Sequence, residues 1–374
     1  MSNQNMETEE TYYSNYGPQG GLASGPLKLK MTLSGERVVA AEPDVGFLHR
    51  GIEKTCEKLQ WVALPSLIEK VDYLSSIHGT LALSLAVEKL MKIEISPRAQ
   101  AIRLIVSELN RIASHIYFLT TMAKACGAQT ASQFFLRDRE KINNLFEMLT
   151  GARLMYNYVC VGGVMSDITE GFIEKTHDTI KYLKPKLKEY DDLLFNNHIF
   201  TNRLKKTGIL KTSDCISHYI TGPNARASGF FYDVRALSPY CGYEKYKEFL
   251  ERSIKPVTQS DSLDRLQQRV LEIRQSLEIL SLEIDRVPAG TYKEKLSKDG
   301  KVPKGEAYSV VESSRGLFGV YVCSSGGNVA ERIKLRTPSL SLLKVVPDIL
   351  KGNEVSDVPG VIASLDISVS EIDR

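Results

Sequence analysis

The sequence predicts an α+β chain: mainly a helical bundle, preceded by a small β region and followed by a mixed segment. Three observations carry this. From about residue 48 to 200 apolar residues recur at three- and four-residue steps, the helical period. Residues 27–43, LKLKMTLSGERVVAAEP, alternate apolar and polar around Ser34-Gly35, which reads as a β-hairpin. Residues 306–337 hold three β-like runs, EAYSVVESS, GVYVCSS and RIKLRTP, separated by Gly-rich turns.

In chain order, MSNQNMETEETYYSNYG is acidic and polar, neither a signal peptide nor an Arg-rich transit peptide. It is expected to be a flexible arm over 1–16. Residues 17–47 form the β region with the loop before it. The bundle spans 48–286. Its first long helix is AQAIRLIVSELNRIASHIYFLTTMAKA (99–125), where Leu104, Ile105, Leu109, Ile112, Ile116 and Leu119 make one stripe. It opens after Pro97 and stops before Gly127. Further helices are expected at 132–159, at 171–197 with a kink near Pro185, and at 263–280. Residues 287–374 form the mixed region packed on the bundle. It begins with the polar, turn-rich stretch 287–306, a loop or lid.

At 374 residues, with 43% hydrophobic and 25% charged residues, the chain can bury one large core or two moderate ones. A net charge of +3 argues against an electrostatic nucleic-acid binder. The six cysteines (Cys56, Cys126, Cys160, Cys215, Cys241 and Cys323) form no CxxC pair. That disfavours a zinc ribbon or a self-contained iron–sulfur site and points to reduced thiols. No stretch approaches the ~20 apolar residues of a membrane span. The best candidate, Ile112 to Ala123, is short and contains His115. There are no repeats and no Walker or Rossmann glycine motif.

Candidate chemistry is sparse. GFLHRGIEK (46–54) places His49 and Arg50 at an expected helix start. A guanidinium there needs a carboxylate, carbonyl or cluster partner, and a salt bridge with Glu53 is the plainer account. KVDYLSSIHGTLALSLAVEKL (70–90) crowds Tyr73, two serines and His78 at the head of an apolar helix. Most buried tyrosines and histidines are structural, and the same holds for His115 in mid-helix. No Ser–His–Asp order and no HExxH is visible. The residues alone therefore give a helical bundle with a buried polar seam.

Ordered blocks add more. PDVGFLHRGIEK, DYLSS with LAVEKL, PRAQAIRLIVSELNRIASH, FFLRDREKINNLFE, TGARLMYNYVCVGGV, ASGFFYDVR, GEAYSVVESSRGLFGVYVCSSGG, RIKLRTPS and the final EIDR come in one order. Together they closely resemble the quinone-site (49-kDa-type, or D) subunit of NADH–quinone oxidoreductase, respiratory complex I. The likeness runs from about Gly17 to Arg374. It implies a fold like that of nickel–iron hydrogenase large subunits, to which this family is related. Those proteins hold metal with an early and a late CxxC. Here both positions, near DYLSSIHGT and in the last residues, lack cysteine, so no metal and no hydrogenase activity is expected.

The resemblance implies that Tyr73 hydrogen-bonds a quinone carbonyl, with Ser24, Gly25 and His78 in the same pocket. It implies that Arg50, with His49 and His115, lies near an iron–sulfur cluster held by a small neighbouring subunit. The chain itself would bind no cofactor, with quinone as substrate. It would join other hydrophilic-arm and membrane subunits, the latter translocating protons. It would sit peripherally on the cytoplasmic side of a bacterial inner membrane, or the equivalent organelle face. Three departures stand against the family pattern. The loop GPQGGLASG (17–25) has Ser24 where the quinone-partner histidine is usual. The Asp that pairs with that histidine falls at Ala125, and a cluster-linked histidine is Met155. Retained quinone reduction is the favoured expectation. The alternative is a scaffold or altered-acceptor subunit, with a membrane-bound hydrogenase large subunit behind both.

Overall fold

The computed structural model describes residues 11–19, 21, 23–252, 259–296 and 300–374. A three-stranded antiparallel sheet opens the chain: β1 (Thr11–Tyr16), β2 (Lys28–Ser34) and β3 (Arg37–Asp44), in that order. The hairpin turns at Gly35-Glu36, since Ser34 pairs with Arg37. β1 is a correction to the flexible arm. TYYSNY pairs in register with β2 from Thr11↔Ser34 to Tyr16↔Leu29, because β2 would otherwise present an open edge. Residues 1–10 lie outside the described residues.

The helical centre follows. The Ser76–Met91 helix is buried on almost every side. In the Pro97–Ala125 helix, Ser96 Oγ accepts from Ala99 N at 3.2 Å and Pro97 takes the first helical position. The next helix, Gln129–Thr150, ends earlier than its apolar pattern predicts. Gly151 adopts a left-handed φ of 75° and closes it. The chain beyond makes a small hairpin of β4 (Val159–Cys160) and β5 (Gly163–Val164). The Phe172–Tyr190 helix keeps Pro185 inside it and passes into a wider turn at Asp191–Phe195. In the Ser262–Glu283 helix, Asp261 accepts from Leu263 N and Asp264 N, both at 3.0 Å.

The region after residue 287 divides between two cores. A second antiparallel sheet, β6 (Gly305–Ser313), β7 (Gly316–Ser324) and β8 (Arg332–Arg336), packs on the Ser76–Met91 helix and joins the bundle core. The short helices Pro338–Leu343 and Val369–Ile372 do not follow it, and Val358–Leu365 faces both cores, with Ala363 in that of the bundle. Leu342, Val361, Leu365 and Val369 pack with Leu29, Met31 and Leu33 of β2 in a separate core. The first and last parts of the chain therefore fold together, against the bundle head.

Candidate functional site

Four segments far apart in sequence meet at that junction. Residues 23–25 pair with 367–369: Ser24 N donates to Ile367 O (3.0 Å) and Val369 N to Ser24 O (2.9 Å). Gly25 allows the approach. Its φ is +117°, and a Cβ there would lie 3.0 Å from Val369 Cβ and 3.2 Å from Leu48 Cδ1. Asp373 then clasps residues 46–49. Its carboxylate accepts from Gly46 N (2.9 Å) and Leu48 N (2.8 Å), and its carbonyl accepts from His49 Nδ1 (2.8 Å). Ser370 Oγ donates to Val71 O at 2.7 Å, tying in the turn before the Ser76–Met91 helix.

Tyr73 stands on that turn, half-buried. Among the described residues its phenol has no hydrogen-bond partner, whereas the buried Tyr158, Tyr190, Tyr243 and Tyr246 all have one. Desolvation first, and nearby Tyr117 second, push its pKa up, so it stays a proton-bearing donor. The turn is rigid from below. Asn110 takes Ile77 N on its Oδ1 (3.2 Å) and donates to Leu74 O (3.2 Å).

His78 lies elsewhere than the resemblance implies. It is fully buried, and Arg111 Nη2 lies 3.3 Å from its Nε2. A guanidinium only donates, so Nε2 accepts and Nδ1–H faces Ser75 Oγ at 2.8 Å. Desolvation, with Arg111 second, holds its pKa well below 6.5. His78 is thus a neutral internal prop, engaged on both nitrogens. His115 is equally enclosed: Nε2 lies 3.2 Å from Glu272 Oε2, and burial again lowers its pKa. These two histidines end a buried ionic spine. In it Glu108 meets Arg111 and Arg235, Asp233 lies between Arg235 and Arg226, and Arg226 reaches Glu272 and Glu312. Burial alone would raise the Glu108 carboxyl, but Arg111 and Arg235 together hold it down at about 2.

His49 and Arg50 are exposed. Arg50 Nη2 donates to Lys70 O at 3.0 Å, so a carbonyl holds it rather than Glu53. Glu53 instead takes Lys334 (2.7 Å) and Arg374 (3.2 Å). Phe47 and Met155 are exposed as well. The 155–157 loop is pinned beside this turn by Asn157 N donating to Glu69 Oε2 at 2.7 Å.

Sequence reading missed the acidic cluster beneath Tyr73. Arg315 donates to Asp72 Oδ2 at 2.6 Å and to Asp366 Oδ1 at 3.3 Å, and Glu371, fully buried, faces the same group. The signal available was the alternating polar series Asp366, Ser368, Ser370 with Glu371 in an otherwise apolar end segment. Among the described residues no group of three His, Cys, Asp or Glu could hold a metal ion, and no helix is long and apolar enough to cross a membrane.

Comparison with known proteins decides the family. Residues 125–299 and 293–374 match the family described as respiratory-chain NADH dehydrogenase, 49-kDa subunit. This chain belongs to that family. The second of the D-type NADH-quinone oxidoreductase subunits of Solibacter usitatus (strain Ellin6076) is 39% identical over 360 residues, covering 96% of each chain. The D-type counterpart in Desulforamulus reducens (strain ATCC BAA-1160 / DSM 100696 / MI-1) is 39% identical over 368 residues, covering 98% of this chain and 99% of the relative. A chain of the membrane-bound sulfane sulfur reductase, an archaeal respiratory membrane complex, superposes with a TM-score of 0.92 at 35% identity, covering 98% of this chain and 100% of that one. The α+β fold expected from the sequence is the fold of this 49-kDa-type subunit. The chain is a subunit of a multi-subunit oxidoreductase of the complex I kind.

Proposed function

We propose that this 49-kDa-family subunit supplies the wall on which a quinone headgroup is reduced. One observation carries the reading most: the half-buried Tyr73 phenol, without a partner among the described residues, on the turn that Ser370 ties to the 366–374 segment. A phenol donor aimed at a quinone oxygen binds the reduced, more negative form more strongly than the oxidised one. That is differential stabilisation of the kind that speeds a reaction. Ser24 and Gly25, paired with residues 367–369, would form a neighbouring wall. Ser24 offers a hydroxyl but no titratable group.

Electrons would come from an iron–sulfur cluster in a small partner subunit, docked over the exposed Phe47, Arg50 and Met155 surface. The Arg50 guanidinium is free to point outward, apart from its Lys70 carbonyl bond, and would favour the reduced cluster. His49 flanks it, held by the Asp373 carbonyl. His78 and His115 belong to the supporting interior rather than to the surface a ligand touches. Membrane subunits of the same assembly would carry proton translocation, with this chain peripheral on the cytoplasmic side.

A second reading is an altered acceptor. Two observations favour it: serine stands at position 24, and a chain at TM-score 0.92 comes from a complex named for reducing sulfane sulfur. The test is turnover by the purified assembled complex with a quinone and, separately, with a polysulfide. Quinone turnover that depends on Tyr73 supports the first reading. Polysulfide turnover with none to quinone establishes the second.

A further inference from the structure

The Glu371 carboxyl is fully buried, and among the described residues no cation lies within ion-pair reach of it. Its Oε2 accepts from Ser339 N at 3.3 Å, and its Oε1 has no hydrogen-bond partner. A carboxylate in that position would be a desolvated anion with one oxygen bare. The groups around it do not relieve this. From the turn before Ser76–Met91 comes Asp72, a like charge. From the β6–β7 turn comes Arg315, already committed to Asp72 (2.6 Å), to Asp366 Oδ1 (3.3 Å) and to the Asp366 carbonyl (3.0 Å). From β8, Arg336 donates to the Leu317 and Tyr219 carbonyls. From its own segment, Arg374 binds Glu53 and the Glu371 backbone carbonyl, not its carboxyl. Arg269 approaches only Asp366, at 3.9 Å.

Around Arg315, three carboxyl groups therefore share two guanidinium groups, and the third has no ion pair. A proton resolves the imbalance. Burial, with Asp72 second, pushes the Glu371 carboxyl up to about 8. Asp72 is raised too, by burial first, although Arg315 pulls the other way.

We propose that Glu371 is the proton-storing residue of this site, a carboxylic acid at neutral pH that releases its proton when the acceptor beside Tyr73 is reduced. This rests on the quinone-site reading above. The balance is simple. The quinone takes two electrons from the partner's iron–sulfur cluster and needs two protons. One comes from Glu371: its O–H bond breaks, an O–H bond forms on the acceptor, and a carboxylate remains until solvent reprotonates it. Solvent supplies the second proton. Glu371 gives the chain a titratable store where position 24 provides only a serine. Its segment is tied to the turn that carries Tyr73. Ser370, next in sequence, is bonded to Val71, two residues from Tyr73, and the Ser368 and Ser370 hydroxyls lie 3.1 Å apart.

The experiment is time-resolved infrared difference spectroscopy on the assembled complex after triggered reduction, read before solvent reprotonates the group. A band in the carboxylic-acid C=O region should disappear on reduction and shift in deuterated water. It should be absent in Glu371→Gln and delayed in Tyr73→Phe, where acceptor reduction is slow. Quinone turnover of Glu371→Gln should fall about 10-fold or more near neutral pH. Asp72→Asn should keep the band but move its titration to lower pH, since a like charge is gone. This second variant serves if Glu371→Gln does not assemble. A band unchanged in Glu371→Gln, or a titration unmoved in Asp72→Asn, overturns the assignment. A band lost only in Asp72→Asn puts the proton on Asp72 and overturns it too. Loss of the quinone reading would show differently, as polysulfide turnover with none to quinone in the wild-type complex while the Glu371 band persists.

Discussion

Replacing Tyr73 with Phe removes one oxygen and no hydrogen bond among the described residues. The ring is half-buried, and Phe keeps its shape and apolar contact. Folding and assembly should therefore change by less than about 0.5 kcal/mol, the range of substitutions that disturb no special feature. The reaction should respond differently. A hydrogen bond to an oxygen gaining negative charge is worth about 1.5–3 kcal/mol. At about 1.4 kcal/mol per tenfold, its loss from the transition state is roughly a 10–150-fold fall in turnover. The assay is steady-state quinone reduction by the purified complex, alongside paramagnetic resonance of the partner's terminal cluster. The expected result is slow turnover with a fully reduced cluster, because electrons arrive and cannot leave. Turnover equal to wild type in a fully assembled complex would refute the reasoning and leave Tyr73 as a wall residue only.

The remaining predictions follow from neighbouring contacts. Gly25→Ala should destabilise the chain by about 1–3 kcal/mol, since the new Cβ meets Val369 and Leu48 from a strained φ; thermal unfolding of the purified protein checks it. Arg103→Met should be more damaging, about 3–5 kcal/mol, because it strands the buried Glu88 carboxylate that Arg103 pairs with; the readout is the denaturation midpoint or loss of soluble protein. Arg50→Lys should leave folding intact, because only one exposed bond to the Lys70 carbonyl changes, yet alter the cluster's resonance signal or potential. For pH, the Glu371 carboxyl is raised in the fold, so its stabilising contribution is complete below about 4.5 and is lost as pH rises through about 8. His78 and His115 are depressed and act oppositely, withdrawing stability as pH falls below 6.5. Subtracting the Glu371→Gln melting curve from wild type isolates the first effect, and a difference independent of pH between 4.5 and 8 would contradict it.

Much of this protein was legible in one dimension. Helical periodicity locates the Pro97–Ala125 and Ser262–Glu283 helices because a repeating apolar stripe has only one way to be buried. Alternation around Gly35 fixes the first hairpin for the same reason. The ordered blocks from Gly17 onward identify the family, since local sequence carries ancestry whether or not its parts touch. Local reading failed where the deciding partner was remote. Thr11–Tyr16 is polar and looks free, yet β2 offers it unpaired backbone groups. Glu53 is the nearby carboxylate for Arg50 along the chain, but Lys334 and Arg374 hold it. His78 looked like a pocket group, and only Arg111, on the next helix, fixes it as a neutral acceptor. Glu371 shows the limit most clearly. Its residue type is visible in the sequence, but its charge depends on desolvation and on whether Arg315 is already taken by Asp72 and Asp366. Those are properties of three-dimensional neighbourhoods, because electrostatic energy follows distance and dielectric, not position along the chain.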